Sequence, residues 1–449
     1  EQSKPNKSSR QVRSGHYVPV RPTPLPKPSL VMYSPAMAAE LGLSGETCES
    51  EDFARYFSGD VDVLPDMKSW ATPYALSIQG QEMYSNCPFE NGNGYGDGRA
   101  VSVGEVVVDG KRWELQLKGG GKTPFCRGAD GRAVLRSSVR EFLVSEAMHA
   151  MGVSTTRALS LVVSGGETSN RPWYDPDKPI PKADEAMLAQ VAPHLMSESP
   201  DVKKQLLRQL KGQLQNPNKM QTEKCAITTR VAASFTRVGH LELHGRRARK
   251  GGEMEMEHLR LIVEHALKRE YADVDDAAKP FEDRVVVMIN EFAKRLSVLI
   301  SDWLRVGFVQ GNFNSDNCLV SGRTMDYGPF GFLEKYEPLW NMWVGGGEHY
   351  AFMNQPRAAY RNFFSFVKAV SPLLEGESLK AAQEAVDGFE DTCRTACVDM
   401  WRRKLGLRSF DAACGALFEQ LEDLLEKSSM DWTLFWRQLA ECAAQGLGA

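Results

Sequence analysis

Between Arg305 and Leu333 the chain reads RVGFVQGNFNSDNCLVSGRTMDYGPFGFL, which sets Asn312, Asn314, Asp316, Asn317 and Asp326 between short apolar flanks. Carboxylate and amide oxygens suit a hard divalent cation such as magnesium, which prefers them to thiolate or imidazole. Two short strands, Leu319 to Ser321 and Thr324 to Asp326, joined by Ser321-Gly322-Arg323, would return Asp326 to the side of Asp316 and Asn317. That pattern predicts a metal and base site on a hairpin. It leaves open a surface loop in which Asx turns absorb the same side chains.

A second group of candidates lies earlier. The glycine-dense run from Phe89 to Arg99, expected to be a flexible loop, leads into the valine-rich stretch Ala100 to Val108. The turn signal Asp109-Gly110 follows, then Arg112 to Lys118. This reads as loop, strand, hairpin, strand. Alternation along the second strand puts Trp113, Leu115 and Leu117 on one face and Glu114, Gln116 and Lys118 on the other, so that Lys118 could point into a cleft under the glycines. The next segment, Gly119-Gly120-Gly121-Lys122-Thr123-Pro124, lacks the spacing of a Walker phosphate loop, and Pro124 opposes the helix such a loop requires. Ala133 to Met151 has a helical stripe of Leu135, Val139, Phe142 and Leu143, stopped by Gly152. Glu141 sits at its edge, placed to pair with Lys118 if strand and helix face each other. Thr155 to Val163 reads as a strand ending at Ser164-Gly165-Gly166, and Cys225 to Val231 as another, carrying Arg230 shortly before Arg237.

These pieces need a frame. Glu1 to Ser14 is polar and basic, and five prolines fall between Pro19 and Pro28, so residues 1–29 read as an extended arm that becomes structured near Leu30. Residues 30–174 form a strand-rich first lobe. Residues 175–224 read as an insertion or lid with helical candidates Asp184 to Val191 and Val202 to Leu214. The remainder, 225–449, is mostly helical, with candidates at Leu259 to Tyr271, Phe281 to Val306, Arg357 to Ala369, Leu379 to Arg403, Asp411 to Leu425 and Thr433 to Ala444. The fold class expected is α+β.

Composition narrows the function. The chain has 449 residues, 42% hydrophobic and 25% charged, as expected for an enzyme-sized protein with a substantial core. Lys plus Arg is 54 against 58 for Asp plus Glu, a formal net charge of -4, which gives no bulk reason to expect a nucleic-acid partner. The basic cluster Gly245 to Gly251 has no interleaved aromatics, so it reads as a solvated loop or a contact to an acidic substrate surface. No apolar run is long enough to cross a bilayer. Nine cysteines cannot all pair, which favours a reducing compartment over a disulfide scaffold. A soluble intracellular location, bacterial cytoplasm or eukaryotic mitochondrion, is the expectation.

The assembled pieces resemble the SelO or YdiU proteins, protein adenylyltransferases with a protein-kinase-like fold. The resemblance runs from about Tyr17 to Trp436 and is carried by YGDGRA at Tyr95 to Ala100, ELQLKG at Glu114 to Gly119 and ADGRAVLRSSVREFL at Ala129 to Leu143. TTRALSL at Thr155 to Leu161 and DYGPFGFL at Asp326 to Leu333 extend it, and Gln310 stands where family members carry a histidine. It implies a small strand-rich N-lobe and a large helical C-lobe. The family's lysine and helical glutamate fall on Lys118 and Glu141, and its nucleotide-contacting arginines on Arg230 and Arg237. Gly96, Asp97, Gly98 and Arg99 form the glycine loop, Asp316 matches the catalytic aspartate, and Asn317 and Asp326 match the metal ligands. The implied activity is magnesium-dependent transfer of AMP from ATP, bound reversed relative to a kinase, to Ser, Thr or Tyr hydroxyls of proteins, with pyrophosphate released; manganese is an alternative metal, and autoAMPylation is open. The alternatives carried forward are an atypical kinase moving the gamma-phosphoryl group and a catalytically weak nucleotide-binding scaffold.

Overall fold

The computed structural model describes residues 7–175, 177–178, 184–197, 199–200, 202–203, 206–207, 218–342 and 348–446. Its first half is organised on an antiparallel sheet. The strands are β1 (Val18–Pro19), β2 (Pro28–Tyr33), β3 (Trp70–Ala71), β6 (Ala100–Val108), β7 (Lys111–Lys118), β8 (Ala133–Val134), β9 (Arg157–Tyr174) and β10 (Asn218–Ala232), with a separate hairpin of β4 (Ser77–Ile78) and β5 (Gln81–Glu82). The order across the sheet is β1-β3-β6-β7-β10-β9-β2, with β8 pairing β10 midway along it, at Cys225 and Ala226. Asp109 and Gly110 both take positive φ, 49° and 75°, which is the two-residue hairpin turn that matches strand twist.

Alternation then sorts β7. Leu115 and Leu117 enter a core with Met37, Phe53, Tyr56, Val103, Leu159 and Ile227, covered by the short helices α1 (Pro35–Glu40), α2 (Gly45–Glu49) and α3 (Glu51–Phe57). Glu114, Gln116 and Lys118 therefore share the opposite face, where all are buried. Helix α4 (Leu135–Ala150) packs on the sheet beside β9 and β10.

The second half is helical: α6 (Val238–Arg249), α7 (Glu253–Glu270), α8 (Phe281–Val306), α9 (Gln355–Val370), α10 (Gly376–Asp387), α11 (Phe389–Lys404), α12 (Ala412–Ser428) and α13 (Trp432–Ala444), after α5 (Glu185–Val191) in the insertion. Helix α8 is its axis. Val285, Met288, Ile289, Phe292, Leu296, Leu299, Ile300 and Trp303 recur at three- and four-residue spacing and bury one continuous stripe against Phe363 and Phe366 of α9. A two-stranded ladder of β11 (Phe308–Gln310) and β12 (Phe330–Phe332) brackets the acidic loop. No described helix is long and apolar enough to cross a membrane.

Several sequence expectations need correction. The arm joins the structure before Leu30: β1 pairs with β3, and Val12, Val18 and Val20 are buried with Val101 and Phe125. Gly165 and Gly166 do not end a strand; β9 runs on to Tyr174, paired with a β10 that begins at Asn218. The glycines serve close approach, since a Cβ on Gly165 would lie 2.9 Å from the Lys27 carbonyl oxygen. The basic cluster is not a solvated loop, because Arg246 and Arg247 lie inside α6 at 5% and 7% exposure, with Arg246 beside Glu82 and Glu242. Leu379 to Arg403 is two helices separated at Gly388. The expected helix Val202 to Leu214 falls largely outside the described residues, whereas the candidate Asp184 to Val191 forms as α5, with Asp184 as its cap accepting from Met187 N at 2.9 Å.

Candidate active site

Lys118 ends β7 facing α4, whose inner face carries Ser138, Glu141, Phe142, Ser145 and Met148 at helical spacing. Glu141 is 3% exposed, while Leu143, assigned by pattern to the buried stripe, is 51% exposed. The helix is rotated so that a carboxylate, not a leucine, meets the sheet. Lys118 Nζ donates to Glu141 Oε2 and to Asp326 Oδ1. Arg230 lies opposite Gln116 in the β7–β10 register and donates to its Oε1, and its Nη1 stands 3.5 Å from both Glu141 Oε1 and Asp326 Oδ1. Two cations and two carboxylates are thus interleaved out of water. Burial alone would raise the pKa of Asp326, but Lys118 and Arg230 outweigh it and hold the carboxyl well below the usual range.

A second ion pair stands alongside. Arg237 Nη2 is 2.8 Å from Asp97 Oδ1, and its guanidinium lies over the Tyr74 ring at 4.5 Å. Asp97 Oδ2 accepts from the Thr72 amide at 2.9 Å and its hydroxyl at 2.5 Å. The glycine run around Asp97 is packed rather than loose. A Cβ on Gly96 would lie 2.7 Å from both Phe125 Cγ and the Thr72 carbonyl oxygen, so only glycine fits.

The loop bearing Asp316 is held from several sides. Ser315 N donates to Ser77 O at 3.0 Å, and Gly239 N at the start of α6 donates to Ser315 O at 2.9 Å. Asn362 of α9 donates to Phe313 O at 2.8 Å. Of the expected hairpin only the bridge Cys318–Thr324 forms, because both segments pair elsewhere: Leu319 with Arg237, and Thr324 with Thr155. Asp326 is nevertheless returned to the cleft. Gln310 Nε2 donates to its backbone oxygen at 2.5 Å, and Gly328 N to its Oδ2 at 2.9 Å. Asn317 donates to Asn312 O at 2.8 Å, leaving Oδ1 as its available oxygen. Asp316 differs from Asp326. Its Oδ1 is buried without a hydrogen-bond partner, and burial pushes its pKa up to about 6, against Arg237 and with the help of Asp326.

These groups surround a cleft of about 560 Å³ whose wall includes Gly96, Asp97, Gly98, Arg99, Lys118, Arg230, Arg237, Asp316, Asn317 and Asp326. Among the residues nominated from sequence, Glu141 stands behind the wall, touching Lys118. The sequence reading did not single out Tyr74, Tyr95, Arg127, Arg132 or Arg171, which also line it. Arg127 lies over the Tyr95 ring at 4.3 Å, and Arg171 holds Asp130 at 2.7 Å. Gln116 was reachable, since the alternation that selects Lys118 selects it too. Seven cationic side chains line the cleft against four acidic ones, a bias toward a polyanionic ligand.

Comparison with known proteins agrees in extent and class. The family described as protein adenylyltransferase SelO matches residues 4–191 and 206–447. A protein nucleotidyltransferase YdiU of Xanthomonas campestris pv. campestris (strain B100) is 37% identical over 430 residues, covering 95% of this chain and 71% of the relative. The YdiU protein of Azoarcus sp. (strain BH72) is 35% identical over 437 residues, covering 96% and 72%. The chain belongs to the SelO family of protein adenylyltransferases and is an enzyme of the nucleotidyltransferase class.

Proposed function

We propose that the cleft transfers AMP from ATP to a Ser, Thr or Tyr hydroxyl of a protein. The observation that carries this reading is the divergence of two neighbouring carboxyls. Asp326 is ionised and tied to Lys118 and Arg230, whereas Asp316 has an unpartnered oxygen and a pKa lifted to about 6. Environments that drive two carboxyls apart assign them different roles. Asp316 accepts the proton of the attacking hydroxyl; the new oxygen to alpha-phosphorus bond forms as the bond to the beta-phosphate oxygen breaks, and pyrophosphate leaves. Lys118, Arg230 and Arg237 face the departing phosphates, with Glu141 and Asp97 fixing their direction.

Asp326 Oδ2 and Asn317 Oδ1 suit a magnesium or manganese ion, together with phosphate oxygens and water. Magnesium typically takes only one or two carboxylates from the protein, so a sparse donor set fits it. When bound, the ion neutralises developing phosphate charge. This reading also treats the molecule as a protein-kinase-like pair of lobes meeting at the cleft, the antiparallel sheet through β10 with α4 on one side and the helices from α6 onward on the other.

The test is a paired transfer assay with alpha-labelled and gamma-labelled ATP, intact mass, and Asp326→Ala as control. An AMP-sized gain labelled only from the alpha position is the expected result. Gamma label alone would replace this reading with phosphoryl transfer, and label from neither position would leave a nucleotide-binding scaffold.

A further inference from the structure

On the other side of the wall formed by Thr72 and the start of α6 lies a second, larger cavity of about 1080 Å³. Its sides come from the arm (Tyr17, Val20), the segment before β3 (Met67) and β3 itself (Trp70), the turn after β10 (Phe235) and α7 (Leu261, Ile262). Thr72 lines this cavity, and its amide and hydroxyl donate to Asp97, which lines the cleft.

The polar groups at this cavity are of a different kind from those of the cleft. His240 is 4% exposed, and its Nδ1 accepts the backbone N–H of Arg237 at 2.7 Å. Burial and the charge of Arg237 keep the ring neutral, so its one proton must sit on Nε2. Nε2 has no hydrogen-bond partner. A buried donor left unpaired carries its full desolvation penalty, which an acceptor on a ligand would recover on a small turn of the covered ring toward the cavity. Glu114 also lines the cavity; Ser102 Oγ donates to its Oε1 at 2.5 Å and Phe235 N to its Oε2 at 3.2 Å, so each oxygen keeps a lone pair for a further donor. Three of the other charged side chains have protein partners. Lys7 Nζ donates to Thr23 Oγ1 at 2.9 Å, Arg21 is tied to Asp62, and Glu105 Oε1 meets Arg269 at 2.8 Å. Lys68 is exposed at the rim.

From these features we infer that the rear cavity is a binding site for an uncharged heteroaromatic molecule of nucleoside size, and that its occupancy is felt in the cleft. A flat heterocycle fits between Trp70, Met67, Phe235 and Ile262, offers an acceptor to His240 and a donor to Glu114, and needs no counter-charge. The hydroxyls of Ser69, Ser234 and Thr236 suit a polar substituent such as a sugar. Coupling has a short path: His240 holds the backbone of Arg237, and Thr72 holds Asp97, the ion-pair partner of Arg237.

The experiment titrates adenosine calorimetrically into the full chain saturated with a non-hydrolysable ATP analogue, so that the cleft is filled. One further equivalent of binding is expected. Leu261 lines the cavity and is 44% exposed, so Leu261→Trp fills space without disturbing the core, and it should weaken that binding at least tenfold. Tyr17→Ala, at a wall residue 61% exposed, is the second variant and should weaken it several-fold. In the parent, adenosine should shift the analogue's affinity at least threefold, and in Leu261→Trp it should not. No heat with the cleft filled, or an affinity indifferent to both substitutions, overturns the site. An unshifted analogue affinity overturns the coupling. The readout is binding alone, so its failure is separate from any failure of AMP transfer.

Discussion

The cleft and the rear cavity share a wall yet solve opposite problems. In the cleft, Lys118, Arg230, Glu141 and Asp326 are charged and mutually paired, and Arg237 is paired with Asp97. In the rear, Lys7, Arg21 and Glu105 are paired at the margins, and the buried polar groups are the neutral His240 ring and the Glu114 carboxyl. Arg237 and His240 are one turn apart at the start of α6 and look into different spaces. Sites for polyanions and for uncharged ligands can therefore be built back to back, provided the element between them turns cations one way only. Water-excluded ion pairs stay directed because each has a partner, whereas the rear depends on a donor left without one.

The largest break in this contrast comes from removing one member of the front set. Asp326→Ala leaves Lys118 and Arg230 with Glu141 as their remaining carboxylate. Transfer should fall by about 10³-fold, the upper range for loss of one preorganised electrostatic group. Thermal denaturation should show a loss of about 3–5 kcal/mol, as for a broken buried pair. Retained turnover with unchanged stability would mean that the front set is not a mutually dependent unit.

A smaller effect separates the two carboxyls. With its pKa near 6, Asp316 is protonated below that pH and cannot take a proton from the acceptor. The turnover rate should therefore fall about tenfold per unit as pH drops below 6 and level off above it. Asp316→Asn should lower the rate about 10²–10⁴-fold, the usual share of a general base, and abolish this limb. ATP-analogue affinity should change little. An acid limb that persists in the variant would assign the titration to another group.

The front was more legible than the rear because short-range pattern reaches it. Two-residue alternation carried Lys118 to one face of β7, and a helix edge carried Glu141 toward it. Asp326 was found by composition although the predicted hairpin shrank to one bridge, since Asp316 and Asp326 are brought together by β11, β12 and the start of α6 instead. Pattern failed where tertiary contacts override polarity. Arg246 and Arg247 look solvated in sequence, but Arg246 donates to Leu76 O at 3.0 Å and Arg247 to Asn93 at 3.1 Å, buried contacts with distant loops. The rear cavity depends on the arm returning to α7, where His16 meets the His258 carbonyl oxygen at 2.9 Å across 242 residues of chain. No local period encodes that return.

The smallest effect lies beside the rear cavity, where neutrality itself carries a pH cost. His244 is 1% exposed, with the His16 ring 4.5 Å away and His258, His240 and Arg247 around it. Burial first, then these neighbours, lower its pKa to about 2. The unfolded chain takes up this proton near pH 6.5 while the folded chain does not, so the contribution is intact above that pH and is lost as pH falls toward the folded value. The loss is about 1.4 kcal/mol per pH unit. Buried Glu114 and Glu242, whose pKa values are raised to about 7, oppose this trend in the parent curve, so the informative quantity is the difference between parent and His244→Phe. From pH 6.5 to 4.5 that difference should move in the variant's favour by about 2.3 kcal/mol, read from denaturant midpoints at each pH. Parallel curves would mean that His244 gains a proton without unfolding, and the rear would then be as tolerant of charge as the front.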